Sequence, residues 1–151
     1  MRSSVIKKGT WLASFILAVC LCAHAEVKLP AIFSDGMVMQ QQTKANLWGT
    51  ATPNKKITVT TGWNGKQYVA TADKNGAWKL SVSTPEAGGP YSITFNDGSK
   101  KTLNNILIGE LWLCSGQSNM EMPMKGFKNQ PVENANMDIL RSKNPNIRLF
   151  T

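Results

Sequence analysis

Ile106-Leu107-Ile108-Gly109-Glu110-Leu111-Trp112-Leu113-Cys114-Ser115-Gly116-Gln117-Ser118-Asn119-Met120 is the stretch on which the fold turns. Residues 106–113 form a nearly continuous apolar run, not an alternating one. That pattern belongs to a parallel strand covered on both faces. The run ends in small and amide residues around a serine. At the carboxyl end of a parallel strand, a side chain projects into the crevice where open α/β sheets bind ligands. Ser118 is therefore the candidate nucleophile. Gly116 lets the backbone turn tightly before it, and the Ser118 N–H is placed to donate to a developing oxyanion. Gln117, Asn119 and Glu121 are expected to order the loop or touch substrate.

Downstream, Pro131 opens a predicted helix with Val132, Ala135, Ile139 and Leu140 on one face. Asn144-Pro145-Asn146 stops it, and Ile147-Arg148-Leu149-Phe150 reads as a second strand. Strand, helix and strand make one βαβ unit, so residues 104–151 are expected to begin an α/β domain that these residues leave incomplete. Met120, Met122 and Met124 are expected to wedge their loop against the sheet and not to bind a metal.

Upstream the pattern changes. Ile57 and Val59, then Trp78, Leu80 and Val82, then Tyr91, Ile93 and Phe95 alternate with polar residues. This is the period of half-buried strands. Asn64-Gly65, Asn75-Gly76 and Asp97-Gly98 punctuate them, and Asn64-Gly65 suits a tight hairpin needing two positive φ angles. Short strands at close spacing predict an antiparallel β-sandwich over residues 26–103. Trp48, Trp63 and Trp78 suggest a sugar-stacking platform, but Trp48 and Trp78 are expected to be core anchors instead.

Residues 1–25 read as an export signal. Arg2, Lys7 and Lys8 precede an apolar segment, and Ala23-His24-Ala25 is a small-x-small cleavage pattern. The apolar part is short for a membrane span, so membrane contact is expected only during export, with a periplasmic or secreted product. Loss of these three basic residues lowers the net charge of +8 to about +5. The remaining lysines are scattered, and no basic block points to nucleic acid. Cys20 and Cys22 fall in the signal, which leaves Cys114 alone. At the end of an apolar run it is expected to be buried and inert. His24 is the only histidine of the 151 residues and also lies in the signal. No metal or organic cofactor is expected.

Position alone leaves two readings of Ser118 open: a nucleophile, or a serine in a plain strand-to-helix turn. The second glycine of the usual nucleophile elbow is missing. Ser115 is still leaving the strand and is a poorer candidate, and a Ser-Lys dyad with Lys125 or Lys128 requires a buried lysine.

Gly109-Glu110-Leu111-Trp112-Leu113-Cys114-Ser115-Gly116-Gln117-Ser118-Asn119-Met120-Glu121 closely resembles the first block of the sialate O-acetylesterases, of the SGNH (GDSL-like) hydrolase superfamily. Leu29-Pro30-Ala31-Ile32-Phe33-Ser34-Asp35-Gly36-Met37-Val38-Met39-Gln40-Gln41 is similar to the opening of their mature chains. Glu133-Asn134-Ala135-Asn136 and Asn144-Pro145-Asn146-Ile147-Arg148-Leu149-Phe150 also resemble that family. The resemblance implies a β-sandwich followed by the truncated first βαβ unit of a flavodoxin-like α/β/α SGNH hydrolase domain. It implies that Ser118 attacks an acetyl ester, typically the 9-O-acetyl of sialic acid, with its own N–H as one oxyanion donor. The family's later glycine, asparagine and Asp-x-x-His blocks have no counterpart here, so the fragment is expected to be inactive alone. Two alternatives remain: an esterase for acetylated xylan or another polysaccharide, and a non-catalytic carbohydrate-binding sandwich with a vestigial hydrolase stub.

Overall fold

Alternating burial builds the first two-thirds of the molecule. The computed structural model describes residues 26–150. The expected signal at 1–25, with Cys20, Cys22 and His24, lies outside the described residues. Seven strands follow in order: β1 (Val38–Gln40), β2 (Lys44–Thr50), β3 (Lys56–Thr61), β4 (Gln67–Thr71), β5 (Ala77–Ser83), β6 (Gly88–Asn96) and β7 (Lys100–Gly109). Ile57 and Val59 of β3, Trp78 and Val82 of β5, and Ile93 and Phe95 of β6 point inward as their alternation predicts.

β1-β7-β6-β3-β4 form a five-stranded sheet, and β2 and β5 form a second sheet of two strands. The two sheets share one core. Leu47, Trp78 and Val82 from the small sheet meet Ile57, Val59, Phe95 and Ile106 from the large one. The rings of Trp78 and Phe95 lie 5.9 Å apart across it. Burying such side chains contributes about 1.5–3 kcal/mol each. The expected β-sandwich is therefore present. It is not purely antiparallel, because β1 pairs with β7 in parallel. The Asn64-Gly65 turn also differs from the expected two-residue hairpin. The β3–β4 ladder ends at Thr60↔Gln67, and Gly65 takes φ 67° while Asn64 stays out of the positive-φ region. Asn64 instead works through its side chain, its Oδ1 accepting from Thr61 Oγ1 at 2.7 Å and Lys66 N at 3.0 Å.

The apolar run at residue 106 is a strand with neighbours on both edges, but it belongs to the sandwich. β7 runs unbroken across positions 103 and 104. Ile106 and Ile108 enter the core, and the strand ends at Gly109. Residues 110–113 lie outside any strand and are exposed instead of buried, with Leu113 95% accessible. The reason is pairing: β1 and β6 flank the strand only as far as Gly109.

β7 also carries a bulge. Leu103 pairs with Ile93 and Ile106 with Tyr91, so β7 spends one extra residue there. Asn105 takes up that residue with φ 56°. Asp35 Oδ1 accepts from Asn104 N at 2.6 Å, and Gly36 N donates to Asn104 O at 3.0 Å. Arg148 completes the knot. Its Nη1 donates to Gly36 O at 2.7 Å and to Asn105 O, and its Nη2 donates to Asn105 Oδ1 at 2.9 Å.

Beyond β7 come a short α1 (Ser118–Glu121), a minimal hairpin of β8 (Gly126–Phe127) and β9 (Gln130–Pro131), and α2 (Ala135–Arg141). The predicted helix is shorter than expected, since Pro131 sits in β9 and Asn134 enters α2 with φ 59°. Ala135 is buried, but Leu140 is 75% exposed. Residues 147–150 form no strand: among the described residues nothing pairs with their backbone as a ladder, and Leu149 is 90% exposed. The expected βαβ unit is thus not closed here. An apolar strand needs a paired edge and a covered face, and residues 147–150 have only the Arg148 anchor.

Two outcomes follow from β7. A chain ending at residue 103 lacks Ile106, Ile108 and the whole β1 pairing, so it should show no cooperative thermal transition, whereas residues 26–110 should melt sharply. Calorimetry of the two pieces decides this. Arg148→Ala should cost about 1–3 kcal/mol and speed amide exchange at Gly36 and Leu107, with Arg148→Lys restoring only part because one ammonium cannot fork between several oxygens. Unchanged protection at both amides would contradict that role.

Candidate functional site

The segment between Glu110 and Arg148 holds every candidate residue. Gln40 Nε2 and Gln41 Nε2 donate to the two carboxylate oxygens of Glu110 at 2.9 and 2.6 Å. Gln40 Oε1 in turn accepts from Leu111 N at 2.9 Å. These bonds tie the start of the segment to the end of β1, as Arg148 ties its far end to the start of β1. The amide from Gln40, then that from Gln41, favours the ionised carboxylate and holds the Glu110 pKa below its usual value.

Ser118 opens α1, so its N–H is among those that a helical first turn leaves without an intrahelical acceptor. Gly116 sits at φ 158°, and a Cβ there would come within 2.8 Å of Met120 Cγ. A side chain at 116 would therefore push against the turn that presents Ser118. Gln117 is the N-cap residue but makes no side-chain cap bond. Gln117, Ser118, Asn119 and Glu121 are all exposed. Among the described residues no side-chain hydrogen bond reaches Ser118, and neither Lys125 nor Lys128 is bonded to it. The sequence thus brings the serine, its neighbouring amides and the turn together, but it brings no base to them.

Two smaller expectations are corrected. Cys114 is exposed, because the strand that was to bury it stops at Gly109. Met120 and Met124 are also exposed, at 51% and 55%, since no sheet face lies behind their loop. Among the described residues no cluster of three or more His, Cys, Asp or Glu could hold a metal ion, and no helix is long and apolar enough to cross a membrane.

A groove of about 850 Å³ runs beside β7, lined by Val38, Leu107, Gly109, Trp112, Cys114 and Ile147 among others. Ser118 is not part of its wall. The anchors Glu110 and Arg148 were not foreseen from the sequence. Their partners lie 69 and 112 positions away in the case of Gln41 and Gly36, and no local pattern marks such pairs.

No family model matches the chain. The sialate O-acetylesterase of Homo sapiens is 27% identical over 119 residues, covering 72% of this chain and 23% of that protein. The Mus musculus sialate O-acetylesterase is 28% identical over 129 residues, covering 78% of this chain and 24% of its own length. The crystal structure of a carbohydrate acetylesterase from Xanthomonas citri superposes with a TM-score of 0.61 at 36% identity, covering 66% of this chain and 23% of that one. The chain thus spans about a quarter of the length of the relatives it matches. These matches bear out the resemblance to the sialate O-acetylesterases.

The Glu110 bonds have a pH signature. A carboxylate with a lowered folded pKa contributes stability above its unfolded pKa and loses it as pH falls through the folded one. Between neutral pH and pH of about 3, wild type should therefore lose more stability than Glu110→Gln. Denaturant midpoints across that range test this, and parallel curves would contradict it.

Proposed function

We propose that this chain, a relative of the sialate O-acetylesterases, supplies the nucleophile-bearing part of an exported serine esterase that removes O-acetyl groups from carbohydrate. The observation that carries the reading is the match to acetylesterases by sequence and by structure. The presentation of Ser118 at the start of an exposed turn is compatible with it.

In this reading Ser118 Oγ attacks the acetyl carbonyl carbon and gives up its proton to a base. The carbonyl oxygen becomes an oxyanion, and the Ser118 N–H is one donor to it, a contribution of a few kcal/mol when such a donor is preorganised. The intermediate expels the sugar hydroxyl, which takes a proton, and leaves acetyl-Ser118. Water then releases acetate and free serine. No metal or organic cofactor takes part. Gln117, Asn119 and Glu121, exposed beside Ser118, contact the sugar. The base is a histidine outside residues 26–150, which contain none. Residues 110–150 then belong to an α/β/α SGNH domain whose further strands and helices cover the exposed Leu111, Trp112, Leu149 and Phe150.

The first substrate is O-acetylated sialic acid, as the names of the mammalian relatives suggest. A second reading is acetylated xylan or another polysaccharide, in keeping with the name of the Xanthomonas citri structure as a carbohydrate acetylesterase. Acetate release from 9-O-acetylated sialic acid and from acetylated xylan, measured side by side on the complete gene product, separates the two. Ser118→Ala should lower either activity by at least about three orders of magnitude and abolish fluorophosphonate labelling. An active Ser118→Ala protein would overturn the nucleophile assignment.

A further inference from the structure

The small sheet turns its outer face to solvent, and that face has a composition of its own. Leu47 points into the core and Trp48 points out, 42% exposed. Register places Lys79 directly across from Trp48, Ser81 across from Asn46, and Ala77 across from Thr50. Lys28 bridges to Thr50 on the other side of β2. Trp48 therefore lies at the centre of three adjacent backbone segments, between Lys79 on one side and Lys28 diagonally on the other. Lys44 extends the same face along β2, two positions beyond Asn46.

We infer that this face is a glycan-binding surface for carboxylated or sulfated saccharide chains, separate from Ser118. Three features point to that ligand. The indole offers an apolar face of the size of a pyranose ring, the kind of amphipathic surface on which sugar C–H groups stack. Phe33 packs edge-on against it, centroids 4.6 Å apart at 74°, so the ring is oriented before a ligand arrives and less ordering is lost on binding. Ser81 Oγ donates to Asn46 Oδ1 at 2.7 Å, which fixes the Asn46 amide on the exposed face with its N–H groups available to a hydroxyl-rich ligand.

Charge then selects among glycans. Lys28, Lys44 and Lys79 share the face, and its ladder positions hold no Asp or Glu. The ion pair Lys101–Glu26 at 3.5 Å uses none of these three lysines. Among the described residues these three ammonium groups have no carboxylate partner, so an anionic chain lying over Trp48 would meet charge on both flanks. A single tryptophan with scattered lysines lacks the successive stacking positions that single-stranded nucleic acid uses.

Affinity electrophoresis of the full chain through gels containing polygalacturonic acid tests the inference. Wild type should be retarded at low salt, and Trp48→Ala should weaken retardation about ten-fold, the loss expected of one stacking contact. Lys79→Glu should weaken it at least as much, and Ser118→Ala should leave it unchanged, so failure here is distinct from failure of the esterase reading. Trp48→Phe keeps an aromatic face and should retain part of the binding, which guards against misfolding of the alanine variant. Retardation that is the same with Trp48→Ala as with wild type would show simple ion exchange and overturn the inference. Equal retardation by a neutral β-glucan would overturn the anionic preference, and Trp48-dependent retardation by an oligothymidylate would overturn the glycan assignment.

Discussion

The pairing of β7 on both edges is the constraint from which the rest hangs. Backbone N–H and C=O groups in the interior must find partners, and β7 finds them in parallel with β1 and in antiparallel with β6. That arrangement closes the large sheet, seats Ile106 and Ile108 in the core, and delivers the chain at Gly109 to a defined exit. The bulge at Asn105 leaves carbonyls that the ladder does not use. Arg148 reaches back 43 positions to the Asn105 carbonyl and 112 positions to that of Gly36. One guanidinium, with donors in a fixed fork, thus satisfies the irregularity that the strand created.

The consequence for the site is a segment held at two points. Glu110 fastens its start to Gln40 and Gln41, and Arg148 fastens its end to Gly36 and Asn105. Both fastenings are on or beside β1, a strand of three residues. Ser118 rides between them on a turn that little else supports. The apolar side chains Leu111, Trp112, Leu113, Leu149 and Phe150 along this segment stay in water. The sandwich behaves as the mount, and the serine segment as the part mounted on it.

The two faces of the sandwich differ in the same physical terms. The edge beside β7 is apolar and presents main-chain anchors, which suits contact with more polypeptide. The outer face of β2 and β5 is polar and basic around one oriented tryptophan, which suits a hydrated anionic chain. Nothing in the strand periodicity separates these two surfaces, because both lie on residues that alternation marks only as outward.

What the sequence determined by itself was local. Period-two alternation in β3, β5 and β6, the turn residues between them, the glycine before Ser118, and the specific block around that serine were all legible, because strand periodicity and turn chemistry act over a few residues. Trp78 was legible as a core anchor for the same reason, while Trp48, adjacent to an inward leucine, was misread because its exposure depends on which face the sheet buries. The tertiary structure alone decided that residues 106–109 close the sandwich instead of opening a parallel sheet. A continuous apolar run states only that a strand wants neighbours on both edges. Which neighbours it obtains is settled by β1 and β6, and by two anchors, Glu110 and Arg148, whose partners are distant in the chain and adjacent only once it has folded.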